Sequence, residues 1–178
     1  YYTAHVGKSH YGGPDVEHFE EKAGFMHELG FDYVRESEGT GPATTMNSGH
    51  WVADYWREEG LLETFREDLR RRRTESGFWP SPLSTEEHFD AVISRGAIEF
   101  IKEYDLDAPF CLFVGWGGPH DPLDPPAAFA EMYADADVPA PVDPAEPGDW
   151  VPDRAREFME REGLAGPTQD EWDPERVA

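Results

Sequence analysis

Hydrophobic residues recur at two different spacings along the chain, and these spacings separate predicted helices from predicted strands. Apolar positions three and four residues apart predict amphipathic helices over 15–30, 51–73 and 84–104, and shorter helices are predicted over 125–133 and 152–162. Short apolar runs without that spacing predict strands at 1–6, 31–34 and 110–116. The last run is continuous, as in a strand covered on both faces. A helix followed by a buried strand indicates an α/β fold.

Two of the predicted strands end in polar segments that carry the candidate chemistry of the chain. Lys8 and His10 follow the first strand and point to the same side of an extended segment, because one residue separates them. His120 follows the strand over 110–116, at the kind of position where open α/β sheets bind ligands. Lysine can hold an anionic ester while histidine moves a proton near neutral pH. By spacing alone, a histidine that only caps a strand turn fits His120 equally well.

The charge balance argues against several classes of partner. The 178 residues include 38 Asp and Glu against 15 Lys and Arg, and the net charge of -23 repels nucleic acid phosphates and anionic membrane surfaces. No apolar run approaches the ~18 residues that span a bilayer. A phosphate-binding P-loop would require a glycine five positions before Gly7, where Tyr2 stands. We therefore expect no nucleic acid, membrane or nucleotide partner.

Cys111 is the single cysteine, which allows neither an internal disulfide nor a cysteine zinc cluster. Its position inside the apolar run over 110–116 predicts a buried and unreactive thiol. The acidic composition with only three lysines favours a salt-adapted organism, and an acidic protein from a GC-rich genome is the alternative. Together with the lack of a disulfide, this composition favours the cytoplasm of such a prokaryote.

Two motifs in a defined order make the chain similar to the type I sulfatases. Thr3-Ala4-His5-Val6-Gly7-Lys8-Ser9-His10 resembles the Gly-Lys-Trp-His segment of that family. Phe113-Val114-Gly115-Trp116-Gly117-Gly118-Pro119-His120-Asp121-Pro122 resembles its Pro-His-x-Pro strand end. Between them, Gly30-Phe31-Asp32 resembles the family's Gly-Phe-Asp segment. The resemblance covers most of the chain from residue 1 to about residue 142, and two ordered motifs are more specific than either alone.

The resemblance implies a fold and an activity. The fold would be an alkaline phosphatase-like α/β sandwich, in which helices flank a central mixed, mostly parallel sheet. Residues 1–178 would be the central part of a single catalytic domain that extends beyond both ends of the chain. Within it, 143–178 would form an irregular loop and a short helix. The activity implied is hydrolysis of a small-molecule or carbohydrate sulfate ester to an alcohol and sulfate.

The resemblance also implies roles for three residues, carried over by position. Lys8 would bind the sulfate group and a hydroxyl of a formylglycine nucleophile. His10 would take a proton from the second hydroxyl, so that sulfate is expelled. His120 would contact the sulfate and assist the leaving alcohol oxygen. Lys8, His10 and His120 are thus the expected catalytic residues, and Lys8 and His120 are also expected to bind substrate.

Two parts of the family's active site find no match in this chain. Formylglycine arises in a Cys/Ser-x-Pro/Ala-x-Arg motif, but Phe113 and Gly115 occupy the later positions after Cys111, and no serine heads such a motif. The aspartate pair and the Asp-His/Asn-Gly segment that hold a divalent metal, usually calcium, are also unmatched. We therefore assign no metal ligand here, and expect the nucleophile and the metal ligands outside residues 1–178. Ser9 also replaces the usual aromatic residue between lysine and histidine.

Two alternatives to a sulfatase remain open at this point. A phosphodiesterase or phosphonate monoester hydrolase of the same superfamily would share the scaffold and differ in the anion that it cleaves. A degenerate, non-catalytic homologue would bind the anion with the same cations after losing its nucleophile or metal ligands.

Overall fold

Three parallel strands form the central sheet of the computed structural model, which describes residues 1–39, 49–75, 79–120, 122–137, 139 and 152–161. The strands are β1 (Tyr2–Lys8), β2 (Tyr33–Ser37) and β3 (Phe110–Gly115), in the order β2-β1-β3. Both pairings are parallel, with Ala4 opposite Tyr33 in β2 and opposite Leu112 in β3.

Helices flank this sheet within the first of two units, Tyr1–Met132, while the second unit is Tyr133–Ala178. A short 3-10 helix over Phe19–Lys22 precedes the first α-helix. The α-helices are α1 (Ala23–Glu28), α2 (Trp51–Glu58), α3 (Leu62–Thr74), α4 (Phe89–Glu103), α5 (Ala127–Glu131) and, in the second unit, α6 (Asp153–Arg161). None of the helices in these described ranges combines the length and apolar content that a membrane span requires.

The hydrophobic core lies against β1, the central strand of the described sheet. Val6 of β1 is fully buried in a cluster with side chains from α2, α3 and α4. The largest of these that are fully buried are Trp56, Phe65, Phe89 and Ile93, each at most 1% exposed. The Trp56 indole also donates a hydrogen bond to the Glu87 carbonyl (2.8 Å), so its polar nitrogen is satisfied inside the core.

The predicted α/β class is confirmed, and the described sheet is parallel throughout. Several helix bounds differ from the prediction. The helix expected over 51–73 is two helices, because the chain turns at Gly60, whose φ of 73° is favourable for glycine. The helix expected from residue 84 begins at Phe89, since the Ser84 carbonyl closes a separate turn with the amides of Glu87 and His88. The helix expected over 15–30 is reduced to the 3-10 helix and α1.

The prediction that the strand over 110–116 is covered on both faces is wrong. β3 has β1 as its one partner in the described sheet, and Phe113 and Trp116 are exposed. Cys111, predicted to be buried, is exposed as well. A continuous apolar run is common to central strands and to edge strands with a hydrophobic face, so the sequence pattern alone does not distinguish them.

His50 is one of the few buried polar residues among those that the structure describes. Its side chain is fully buried immediately before α2, and its Nδ1 lies 3.0 Å from the Ser37 hydroxyl. Burial lowers the pKa of His50 from 6.5 to about 4. The folded chain therefore holds a neutral imidazole over a range in which the unfolded chain binds a proton.

Acidification from pH 6.5 to pH 4 is expected to destabilise the protein through His50. Only the unfolded state takes up this proton in that window, so the free energy of unfolding falls by up to about 1.4 kcal/mol per pH unit, about 3 kcal/mol in all. Urea unfolding at several pH values should show this slope in the wild type and lose it in His50→Gln. The same substitution at the exposed His27 should keep the slope, and an unchanged slope in His50→Gln would contradict the assignment.

Candidate functional site

The parallel sheet brings the carboxyl ends of its three strands to one edge. Lys8 lies opposite Ser37 at the ends of β1 and β2, and Gly7 lies opposite Gly115 at the end of β3. The segments that leave these strands therefore meet at the same edge. This is the edge at which open α/β sheets bind ligands.

A cavity of about 300 Å³ opens at this edge, and we call it the strand-end cavity. Lys8 and His10 line it from the segment after β1, and His120 lines it from the segment after β3. The structure thus places the three predicted site residues around one cavity, although 109 residues separate His10 from His120 in the sequence. Lys22, Glu36 and Glu38 complete its charged lining and were not identified from the sequence.

Gly7 is required by the close approach of β1 and β3 beside the strand-end cavity. A Cβ atom at Gly7 would lie 2.1 Å from the Gly115 carbonyl oxygen, and the φ of Gly7 is 103°. Both the contact and the backbone conformation exclude a side chain. The glycine before Lys8 therefore lets the strand end turn while β3 stays paired beside it.

A buried network holds the segment between Lys8 and His10. The His5 Nε2 lies 2.6 Å from Glu36 Oε2 and 2.9 Å from the Gly7 carbonyl oxygen. Because the Gly7 carbonyl oxygen can only accept a hydrogen bond, Nε2 carries the imidazole proton. The other Glu36 oxygen, Oε1, accepts hydrogen bonds from the Ser9 hydroxyl (2.6 Å) and the Ser9 amide (3.2 Å). Glu36 thereby ties Ser9 to β2, which orders the backbone between Lys8 and His10.

Ser9 gains a structural role from this network. The resemblance to the sulfatases expects an aromatic residue at this position, and the smaller hydroxyl makes a short contact to a buried carboxylate instead. The sequence carried no signal for Glu36, because its contact with Ser9 depends on the pairing of β1 with β2.

The strand-end cavity places two lysines, Lys8 and Lys22, beside two carboxylates, Glu36 and Glu38. Burial raises the pKa of Glu38, against the lowering effect of the Lys22 and Lys8 charges. The Lys22 ammonium lies 4.3 Å from the centroid of the Phe19 ring, a cation-π contact that holds it at the cavity.

The Gly39→Ala substitution is expected to displace the Lys8 ammonium with little loss of stability. A Cβ atom at Gly39 would lie 2.9 Å from Lys8 Nζ, which is the movable end of a flexible side chain. If Lys8 binds substrate, this shift should lower kcat/KM of the full-length protein about tenfold or more. Steady-state kinetics would measure the effect of the substitution on catalysis, and thermal unfolding would measure its effect on stability.

Gly24→Ala is the matched control for this substitution, because a Cβ atom there meets nothing within 4 Å. It should leave the kinetics unchanged, and because alanine is favoured over glycine inside α1 it should raise the free energy of unfolding by up to about 1 kcal/mol. Full activity in Gly39→Ala would show that the position of the Lys8 ammonium does not matter.

Cys111 is poorly placed to act as the nucleophile of this site. It pairs with Thr3, whereas the strand-end cavity begins at the level of Gly7 and Gly115. Four residues of extended strand separate Cys111 from that edge, about 13 Å at the usual rise per residue.

Within the described ranges, no three His, Cys, Asp or Glu side chains group in a way that could hold a metal ion. These residues do not fit a calcium site.

Comparison with known proteins finds a distant similarity to a sulfatase. The chain is 27% identical over 158 residues to a protein named arylsulfatase from Clostridium perfringens (strain 13 / Type A). The similarity points to a sulfatase-related family. The aligned region covers 85% of this chain and 30% of the relative, so the chain spans less than a third of the relative's length. No family model matches the chain, and no solved structure matches it.

Proposed function

We propose that residues 1–178 form the central part of the catalytic domain of a sulfatase, which hydrolyses a sulfate monoester of a small molecule or carbohydrate. The observation that carries this proposal is the convergence of Lys8, His10 and His120 on the strand-end cavity. The similarity to an arylsulfatase supports the same chemistry. The alkaline phosphatase-like superfamily is part of the proposal.

In this proposal Lys8 attracts the sulfate group at short range. An ammonium next to a sulfate oxygen also stabilises the negative charge that redistributes over the oxygens as the ester bond breaks. The Glu36 and Ser9 network restricts the backbone that carries Lys8, so the charge is already positioned before substrate binds. Lys22, on the same cavity, adds a second positive charge at short range.

The two histidines handle protons in this proposal. His120 donates a proton to the alcohol oxygen as its bond to sulfur breaks. His10 accepts a proton from the second hydroxyl group of the nucleophile. Imidazole suits both tasks because its ordinary pKa lies near neutral pH. A residue outside 1–178 would provide the formylglycine nucleophile. Other residues outside 1–178 would bind a divalent metal, which is usually calcium in the family.

The proposal is tested by assaying the full-length protein with an aryl sulfate and an aryl phosphonate. Release of phenol and inorganic sulfate from the sulfate ester alone is the expected result. Faster turnover of the phosphonate would identify a phosphonate monoester hydrolase. Sulfate binding without turnover of either ester would identify a non-catalytic homologue.

The flanking sequence provides an independent test. A sulfatase should carry a Cys/Ser-x-Pro/Ala-x-Arg motif before Tyr1 and an Asp-His/Asn-Gly segment after Ala178. Absence of both from the full-length protein would count against hydrolysis through a formylglycine.

A further inference from the structure

Two consecutive amides in the segment after β3 are held by one carboxylate at the start of α4. The amides of Gly117 and Gly118 donate hydrogen bonds to Asp90 Oδ1, at 2.8 Å and 3.3 Å. The Gly117 carbonyl oxygen then accepts a hydrogen bond from the His120 amide (3.3 Å), which closes the turn that carries the imidazole. One short turn therefore connects the Asp90 carboxylate to His120.

We propose that Asp90 is a positioning residue for His120, because its carboxylate fixes the turn that places the imidazole at the strand-end cavity. This inference rests on the proposed function, in which His120 donates a proton to the leaving oxygen. Proton transfer requires the donor and acceptor atoms to lie within hydrogen-bond distance. A displacement of about 1 Å can lower a rate about a hundredfold. Asp90 would thus control the proton transfer through His120.

Asp90 is itself held in place by the hydrophobic core. It is the second residue of α4 and directly follows Phe89, whose ring is 1% exposed in the same core cluster as β1. A closely packed aromatic ring has little freedom to move, so the start of α4 is fixed relative to the sheet. The Ser94 hydroxyl, one turn later, donates to the Asp90 carbonyl (2.8 Å) and accepts a hydrogen bond from the Trp116 indole (3.0 Å). The segment before His120 is therefore attached to α4 at two levels.

The two glycines of the turn let it lie directly on the start of α4. A Cβ atom at Gly117 would lie 2.8 Å from the Phe89 ring, and one at Gly118 would lie 2.9 Å from Asp90 Oδ2. Both distances are too short for a Cβ atom, so a side chain at either position would separate the turn from the helix. The contact between the turn and the carboxylate depends on this close approach.

Direct contact of Asp90 with a ligand is the alternative role, because Asp90 and His120 also line a cavity of about 600 Å³. The proposed role needs an acceptor oxygen for the two amides and does not need the negative charge. An asparagine side chain has nearly the same shape and keeps one acceptor oxygen, whereas alanine keeps none. Comparison of Asp90→Asn with Asp90→Ala therefore separates the two roles.

NMR of the full-length protein tests the positioning without requiring turnover. Asp90→Ala should shift the ring signals of His120, which are assigned by their absence in His120→Ala. It should also speed hydrogen exchange of the Gly117 and Gly118 amides about tenfold or more. Asp90→Asn should keep both close to wild type. Unchanged His120 signals in Asp90→Ala would overturn the proposal.

Kinetics with an unsubstituted aryl sulfate test the consequence for proton transfer. Asp90→Ala should lower kcat about a hundredfold for this ester and much less for nitrophenyl sulfate, whose leaving group needs no proton. Asp90→Asn should stay within a few fold of wild type. Adding Asp90→Ala to His120→Ala should cause no further loss, because Asp90 acts through His120. Additive losses, or an equal loss in Asp90→Asn, would overturn the proposal.

Glu99→Ala is the matched control, since it removes an exposed carboxylate of the same helix that pairs with Arg35 (2.6 Å). It should leave the dependence on leaving group unchanged. Gly118→Ala is the second variant, and it decides the matter if Asp90→Ala does not fold. It disturbs the same contact from the other side while α4 keeps its charge. It should show the same selective loss, and equal losses for all leaving groups would overturn the proposal.

Failure of this inference and failure of the proposed function give different results. If wild type hydrolyses sulfate esters and Asp90→Ala keeps its kcat, the sulfatase stands and the positioning role is overturned. If wild type hydrolyses no sulfate ester, the proposed function fails, and the NMR comparison still decides whether Asp90 fixes the turn that carries His120.

Discussion

The Lys8→Ala variant of the full-length protein is expected to hydrolyse a sulfate ester with a kcat/KM roughly a hundredfold to a thousandfold below wild type. That is the usual loss when one preorganised group that stabilises an oxyanion is removed. Lys8 ends β1, where the Gly7 turn and the Ser9 contact to Glu36 hold its backbone at the strand-end cavity. Alanine removes the charge and leaves these backbone contacts in place.

Steady-state kinetics of Lys8→Ala would be compared with those of Lys102→Ala. Lys102 is an exposed lysine in the last turn of α4, so its removal changes the net charge equally without touching the cavity. Lys102→Ala should keep wild-type kinetics. A Lys8→Ala rate within a few fold of wild type would remove Lys8 from the catalytic site.

The His120→Ala variant is expected to lose roughly a hundredfold to ten-thousandfold in kcat, and the loss should depend on the leaving group. A nitrophenol leaves as a stable anion and needs no proton, whereas an unactivated alcohol does. The loss should therefore be small for nitrophenyl sulfate and large for an alkyl or unsubstituted aryl sulfate. A plot of log kcat against the pKa of the leaving alcohol should become steeper in the variant.

His18→Ala is the control for the histidine substitution. The His18 ring caps the 3-10 helix through the Glu20 amide and lies 2.8 Å from Asp54 Oδ2, so it has structural partners outside the strand-end cavity. Its removal should lower the thermal midpoint and leave the dependence on leaving group unchanged. Equal losses for all leaving groups in His120→Ala would mean that His120 does not donate the proton.

Because the chain is strongly negative, the binding of an anionic ester depends on the lysines that line the strand-end cavity. A net charge of -23 repels an anionic ester at long range. At physiological ionic strength that repulsion is screened beyond about 8 Å, so a substrate close to the cavity responds mainly to the charges that line it. Lys8 and Lys22 are two of only three lysines in the chain, and both line the strand-end cavity.

The amino-acid sequence by itself determined the order of the main elements and the positions of the candidate chemistry. Periodicity located α4 within 84–104 and the three strands to within a few residues, because an apolar stripe repeats locally. Glycine and proline around Lys8 and His120 marked strand ends, because these residues interrupt regular backbone. Local features of this kind depend on neighbours in the chain.

Only the tertiary structure decided which distant residues meet. The parallel pairing of β1 with β2 and β3 brings Lys8, His10 and His120 to one cavity, and the register of β1 and β2 brings Glu36 to Ser9. The same pairing left Cys111 exposed on an edge strand of the described sheet, contrary to the sequence-based prediction, and the rings of Phe19 and Phe89 pack beside the buried His50. Burial and partner choice depend on contacts between segments far apart in the chain, and hydrophobic periodicity carries no information about which segments those are.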